Sequence, residues 1–207
     1  MDTERLIGEN RDVWARFVPH PYMVKVVGDP GSLRPWVLED YHFVRGGAIR
    51  FMLALASRAP PEGHLDFLLE STHRLATMEV PIFLEVSRDL GGVDLGREPS
   101  MATVSYVSFL NHLATSMDFV YGGAVALFAE EWAYYQAWKW LSGKSQHPVL
   151  VRLSSHWSSR EFCEYVERLR EMVEGMQGDQ KTAAGVFRET CRFELLFWDS
   201  LNGPDTH

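Results

Sequence analysis

An all-α, multi-helical fold is what this sequence predicts, and three observations predict it. Apolar residues recur at helical spacing in segment after segment. No stretch alternates apolar and polar residues as a half-buried strand would. The breaks between periodic stretches are short joints rich in Gly, Pro and Ser, the kind that connect helices packed on one another. With 207 residues, 46% of them apolar and 23% charged, the chain can fill one sizeable core as a single helical domain over residues 1–207.

The elements follow in order. An opening helix is expected from Asp2 to Phe17, ended by HPYM, where Pro21 resists continuation. GDPGSLRP reads as a turn, with Ser32 as the N-cap of a helix from about Leu33 to Ser57. APPEGH breaks that helix, and the next runs from about Leu65 to Leu90 with a kink near Pro81. After the polar GGVDLGREPS connection, Tyr106, Phe109, Leu110, Leu113 and Met117 share one helical face. A further helix covers Phe119 to Leu141 and closes at SGKSQHP. Ser158 and Glu161 form a capping box opening a helix whose Phe162, Val166, Leu169 and Val173 align. The last helix spans about Lys181 to Leu201, before a polar tail from about residue 202.

Composition narrows the function classes. A net charge of −8 and no basic stripe argue against a nucleic-acid partner. No apolar run reaches the length of a membrane span, and the acidic opening MDTERLIGENRD lacks the composition of a targeting segment, so a cytoplasmic protein is expected. Two cysteines, Cys163 and Cys191, do not make a disulfide framework, and neither has an evident base partner for a thiol nucleophile. Seven Trp, seven Tyr and twelve Phe suit a large core or the walls of a pocket for a flat ligand. There is no phosphate-cradling glycine loop, nucleophile elbow or Cys/His zinc spacing.

The polar residues that break the apolar stripes carry the most information. At about 100° per residue, Asp40 falls among Trp36, Phe43, Gly47 and Phe51. Glu131 falls among Leu127, Tyr134, Trp138 and Leu141, with Glu130 at the margin. Glu194 falls among Val186, Thr190, Phe197 and Leu201, and Glu79 lies near a stripe of Leu65, Leu69, Thr72, Ala76 and Phe83. A carboxylate held away from water needs a partner or a task. Each of these acids is either satisfied by a neighbouring helix or gathered with the others for acid–base work or for a hydrogen-bond-donating ligand such as an aminopyrimidine. Two Glu-x-x-His pairs, Glu39 with His42 and Glu70 with His73, match the spacing of di-iron carboxylate proteins. On the wheels, however, Glu39 and His42 turn away from the Asp40 stripe and Glu70 lies opposite its helix's core face. No metal or other cofactor is therefore expected.

Several segments, in order, resemble the TenA family, the thiaminase II-like proteins of thiamin salvage. HPYMVKVVGDPGSLRPWVLEDYHFVRGG is similar to the family's opening, SYVSFL to its pocket-tyrosine segment, and ALFAEEWAYY to its signature segment. HPVLVRLSSHW and FELLFWDSL are similar to the family's later segments, and the likeness runs through most of the chain. The resemblance implies a haem-oxygenase-like helical fold, a homo-oligomer (tetramer or dimer) and a small pyrimidine substrate. It assigns pyrimidine binding to Asp40, Phe43, Tyr106, Tyr134, Trp157 and Phe197, and general-acid chemistry to Glu194.

Two departures stand out. Relatives that use a thiol carry Pro-Cys where this chain has Ala129-Glu130, which resembles the cysteine-less branch in which a glutamate takes over. Plant members place that glutamate at the position of Glu131, so Glu130 and Glu131 are both candidates. Phe43 stands where the family often has a hydroxyl-bearing tyrosine. The implied activity is hydrolysis of an aminomethyl- or formylaminomethyl-pyrimidine to hydroxymethylpyrimidine. The alternatives are a pyrimidine-binding protein without turnover and a di-iron oxidase on a similar scaffold.

Overall fold

The computed structural model describes residues 1–60 and 63–202, and every regular element among them is helical. In chain order the α-helices are α1 (Thr3–Glu9), α2 (Arg11–Trp14), α3 (Pro21–Gly28), α4 (Arg34–His42), α5 (Ile49–Ala56) and α6 (His64–Arg74). They continue as α7 (Val80–Asp89), α8 (Met101–Ser116), α9 (Val125–Leu141), α10 (Pro148–Trp157), α11 (Arg160–Gly175) and α12 (Gln180–Ser200). Three π-helical turns, Phe43–Ala48, Leu75–Glu79 and Phe119–Ala124, run directly into α5, α7 and α9. The polar tail expected past residue 202 and part of the APPEGH break lie outside the described residues. No helix among the described residues is long and apolar enough to cross a membrane.

The chain forms two compact units, residues 1–32 with 124–202 and residues 33–123. In the first, α9 packs against α12, α11, α10 and α3, and thirteen of its seventeen residues are buried, which marks it as the central helix of the unit. Around it, α11 turns Phe162, Val166, Leu169 and Val173 inward, as the periodicity predicts. The expected opening helix is broken at Asn10, whose side-chain amide donates to the Leu6 carbonyl at 2.8 Å and competes with the backbone ladder. Pro21 starts a helix rather than ending one. It occupies the first turn of α3, where its missing N–H needs no partner, and the His20 ring accepts from the Tyr22 amide at 3.2 Å. Pro148 opens α10, a helix that the sequence pattern does not isolate, in the same way. The cap of α11 is Ser159, accepting from the Phe162 amide, whereas Ser158 ends α10 and donates to Ser154. The predicted cap is therefore one residue out of register, and with Phe162 at N3 no capping box forms.

In the second unit, α5 packs on α6 and α8, and α4 on α7 and α8. The rings of Trp36 and Phe83, 5.5 Å apart, join α4 to α7. Ser32 does not cap α4. It lies in a 3-10 turn, Pro30–Leu33, and donates to Asp29 at 2.7 Å, while the turn runs straight into the helix. Both ends of α8 are tied down by side chains. Glu39 accepts from the Ser100 amide at 2.9 Å and from the Thr103 hydroxyl, and Arg58 donates to the carbonyls of Ala114 and Met117.

The π-turn at Leu75–Glu79 corrects the third predicted helix. Leu69 and Ala76 were expected inside and are exposed; the buried face of α6 is Phe67, Leu68, Ser71 and Thr72. The face of α7 is Val80, Phe83, Val86 and Ser87. One extra residue in the π-turn rotates the later face by about 100° relative to the earlier one. A single wheel drawn through both halves carries the phase of α7 back onto α6.

Three outcomes follow. Glu39→Ala strips one buried and one half-buried donor of their acceptor and lowers stability by about 2 kcal/mol in urea titrations, with Glu39→Gln intermediate. A Cβ on Gly122 would meet the Leu113 carbonyl oxygen at 2.1 Å, whereas one on Gly46 meets nothing within 4 Å. Gly122→Ala therefore costs about 2 kcal/mol and Gly46→Ala none, read as shifts in urea midpoint. The third concerns His20, which takes an amide proton at Nδ1, carries its own on Nε2 and donates it to Asp199 at 3.1 Å. Burial holds its pKa below the ordinary 6.5, with Asp199 opposing the shift. As pH falls through 6.5 the unfolded chain takes this proton first, so stability drops until the folded value is passed. The midpoint of His20→Asn falls less steeply than that of the wild type between about pH 7 and 5.

Candidate active site

In the second unit, Asp40 is 3% exposed on α4, one turn before the π-turn that carries Phe43. The Phe43 ring lies 4.9 Å from that of Tyr106 on α8, at an interplanar angle of 38°. Tyr106 is itself almost fully buried. Close approach at this seam depends on Gly47, where a Cβ would sit 2.4 Å from the Val107 side chain. Phe43 and Tyr106 thus form one buried ring pair, and Asp40 is buried one turn earlier on the same run of helix as Phe43.

The first unit holds the other candidates. Glu130 and Glu131, each 8% exposed, occupy consecutive positions at the middle of α9. Glu131 accepts from the Tyr165 hydroxyl on α11 at 2.9 Å. Glu194, 4% exposed on α12, accepts from the Trp198 indole N–H at 3.1 Å. Tyr134 is half-buried, with ring centroids 5.4 Å from Trp157 and 6.3 Å from Trp198. Trp157 stacks on Trp138 at 5.1 Å, and Phe197 meets Trp198 edge-on at 6.0 Å. Tyr134, Trp157, Phe197 and Glu194 are therefore linked through Trp198 in one aromatic cluster. Trp132, part of the same sequence segment as Tyr134, packs elsewhere, edge-on to Trp14 at 5.1 Å and beside Phe187.

Sequence reasoning missed Tyr165 and Trp198, and it turned Glu39 away from the Asp40 stripe although that residue is buried against α8. Trp198 follows Glu194 by four residues, the spacing at which helical side chains meet, and so was available as a partner from the sequence. Nothing in the sequence marked Tyr165, which reaches Glu131 from a different helix. Glu39 is buried, its carboxylate engaged at the start of α8, while Glu70 and His73 are exposed. Among the described residues, no group of three or more His, Cys, Asp or Glu side chains could hold a metal ion.

The two thiols sit in contrasting surroundings. Burial pushes the Cys191 thiol pKa far up, and the nearby Glu194 charge adds to the shift, so the thiolate is suppressed. Cys163 is half-buried beside Tyr135, whose phenol is pushed up to about 12, first by burial and then by that thiol.

The sequence from residue 9 to 203 matches the TENA/THI-4/PQQC family. Among solved structures, a TenA homologue from Pyrococcus furiosus is 35% identical, with a TM-score of 0.86 over 97% of this chain and all of its own. A candidate TenA-like thiaminase from Sulfolobus solfataricus P2 is 18% identical, with a TM-score of 0.82 over 98% of this chain and 96% of its own. A domain with a haem-oxygenase-like fold from Shewanella denitrificans OS217 is 15% identical, with a TM-score of 0.76 over 97% of this chain and 92% of its own. A comparison with curated proteins gave no match. The fold is accordingly haem-oxygenase-like, and the chain belongs to the TENA/THI-4/PQQC family.

Proposed function

We propose that the protein is a thiamin-salvage hydrolase acting on an aminomethyl- or formylaminomethyl-pyrimidine to release hydroxymethylpyrimidine. The observation that carries this reading is Glu194. It is a carboxylate almost wholly removed from water, held by the Trp198 indole, on the helix whose FELLFWDSL sequence resembles the family's closing segment. Family membership and the likeness to a candidate TenA-like thiaminase support the substrate class.

Each residue then has a role that its chemistry suits. Asp40 accepts hydrogen bonds from the exocyclic amine and a protonated ring nitrogen, a charge-assisted contact that fixes the orientation of the ring. The family resemblance gives Phe43 and Tyr106 of the second unit, and Tyr134, Trp157 and Phe197 of the first, the role of flat apolar surface for a pyrimidine. A water oxygen bonds to the aminomethyl carbon as the carbon–nitrogen bond breaks; Glu130 or Glu131 takes the water proton, and Glu194 gives one to the departing amine, which leaves as ammonia. A formylamino substrate first loses formate to another water. In the segment where thiol-dependent relatives carry a cysteine, this chain has Ala129-Glu130, and its two thiols lie elsewhere on α11 and α12. That departure favours a second reading, pyrimidine binding without turnover.

One assay separates the two readings. Wild-type protein incubated with 4-amino-5-aminomethyl-2-methylpyrimidine should yield hydroxymethylpyrimidine and ammonia. Glu194→Gln should lower kcat by about 100-fold or more, with the circular dichroism and melting temperature retained. Full activity in that variant removes Glu194 from the mechanism. Tight calorimetric binding of hydroxymethylpyrimidine with no turnover of either substrate establishes the second reading.

A further inference from the structure

We propose that Tyr165 is a positioning residue that holds Glu131 as an oriented carboxylate, and that Glu131 rather than Glu130 takes the proton from water. The inference rests on the hydrolase reading and adds to it a choice between two adjacent acids that are interchangeable by sequence.

The geometry is local to one seam of the first unit. Glu131 is 8% exposed, and its Oε1 accepts the phenolic proton of Tyr165 at 2.9 Å. Tyr165 is half-buried and could have pointed its hydroxyl at solvent, yet it points at the carboxylate. Its ring is braced by Phe162, one turn earlier on α11, at a centroid distance of 5.7 Å. Phe162 in turn packs against Tyr135 of α9 at 6.3 Å, so the donor is carried by an interface already fixed by aromatic contacts. A phenol donating to a carboxylate forms a charge-assisted bond, which favours the ionised form and fixes its orientation. A base oriented by a third group from another element is the arrangement that general-base chemistry needs.

Other titratable groups lie on α9 and on the helices packed against it. On α9 they are Glu130, the next residue in the chain, and Tyr134 and Tyr135 one turn on; α11, which packs on α9, carries Cys163, Glu164, Glu167 and Arg168 on the turns beside Tyr165, and α12 carries Cys191 and Glu194. On α11, Arg170 lies over the Phe128 ring at 5.6 Å and pairs with Glu4 and Glu167. Tyr165→Phe alters none of these groups. It removes one oxygen and keeps the ring.

In the reaction, Glu131 accepts the water proton as the oxygen bonds to the aminomethyl carbon, and Glu194 protonates the leaving nitrogen. The two carboxyls then return to their starting states by proton exchange with solvent. Glu131 must be ionised to begin, so losing its donor raises the pH at which it becomes competent.

The test compares wild type, Tyr165→Phe, Glu131→Gln and Glu130→Gln on 4-amino-5-aminomethyl-2-methylpyrimidine from about pH 5 to 9. Alongside it, carbon-13 NMR of protein labelled at the glutamate carboxyls follows the resonance that Glu131→Gln removes. In Tyr165→Phe the acid limb of kcat should move up by about one pH unit, with KM within about twofold and wild-type rates regained at high pH. The assigned resonance should titrate higher by a similar amount. Glu131→Gln should lose about 100-fold or more at every pH, and Glu130→Gln less than about tenfold. An unmoved limb and an unmoved resonance in Tyr165→Phe overturn the positioning role. An active Glu131→Gln beside an inactive Glu130→Gln overturns the choice of base. If wild type turns over neither amino nor formylamino pyrimidine, the hydrolase reading falls and takes the role of Glu131 with it. The titration still decides whether Tyr165 holds that carboxylate.

Discussion

Burying α9 on most of its circumference draws two adjacent glutamates out of water, and much of the chemistry of the first unit follows from that constraint. A helix packed by α3, α10, α11 and α12 has little surface left through which a long side chain can reach solvent. An ionised carboxyl in such a place is costly unless neighbouring helices supply donors. Tyr165 on α11 is one such donor, and Trp198 serves Glu194 in the same manner within α12. The aromatic residues around these acids therefore do more than fill volume: two of them carry the polar hydrogens that make the burial tolerable.

The same desolvation disfavours the ionised form of a thiol. Cys191 lies one turn before Glu194, and burial together with that negative charge keeps its sulfur protonated. Water exclusion that would disable a cysteine nucleophile at that position leaves a hydrogen-bonded carboxylate usable as an acid or a base.

Helix content and the inward acids were legible because both leave a periodic trace. Asp40, Glu131 and Glu194 interrupt apolar stripes, and all three are buried. What periodicity could not register were the π-turns. The extra residue in Leu75–Glu79 leaves no compositional mark, yet it rotates one helical face past the other and placed Leu69 and Ala76 on the wrong side. Proline was misread at Pro21 because the same ring that ends one helix can begin another, and only the His20 cap, two positions before Tyr22, tells them apart. Tyr165 was invisible for a different reason. Its partner lies 34 residues earlier on another helix, a pairing that packing creates and no local pattern encodes. The family resemblance supplied roles for residues of both units, whereas the donors that hold those residues came only from the geometry.

The make-up of the two units bears on how the chain is completed during synthesis. The second unit is one unbroken stretch, residues 33–123, so all of its helices have been made before α9 exists. The first unit is split, and α1 and α2 pack on α12, with α1 also meeting α11. The Asp2 amide, for example, donates to the Gln180 side chain, 178 residues away. Made long before their partner, α1 and α2 must therefore wait, with their apolar faces uncovered, until α12 has emerged. That interval is when a chaperone has most reason to hold them.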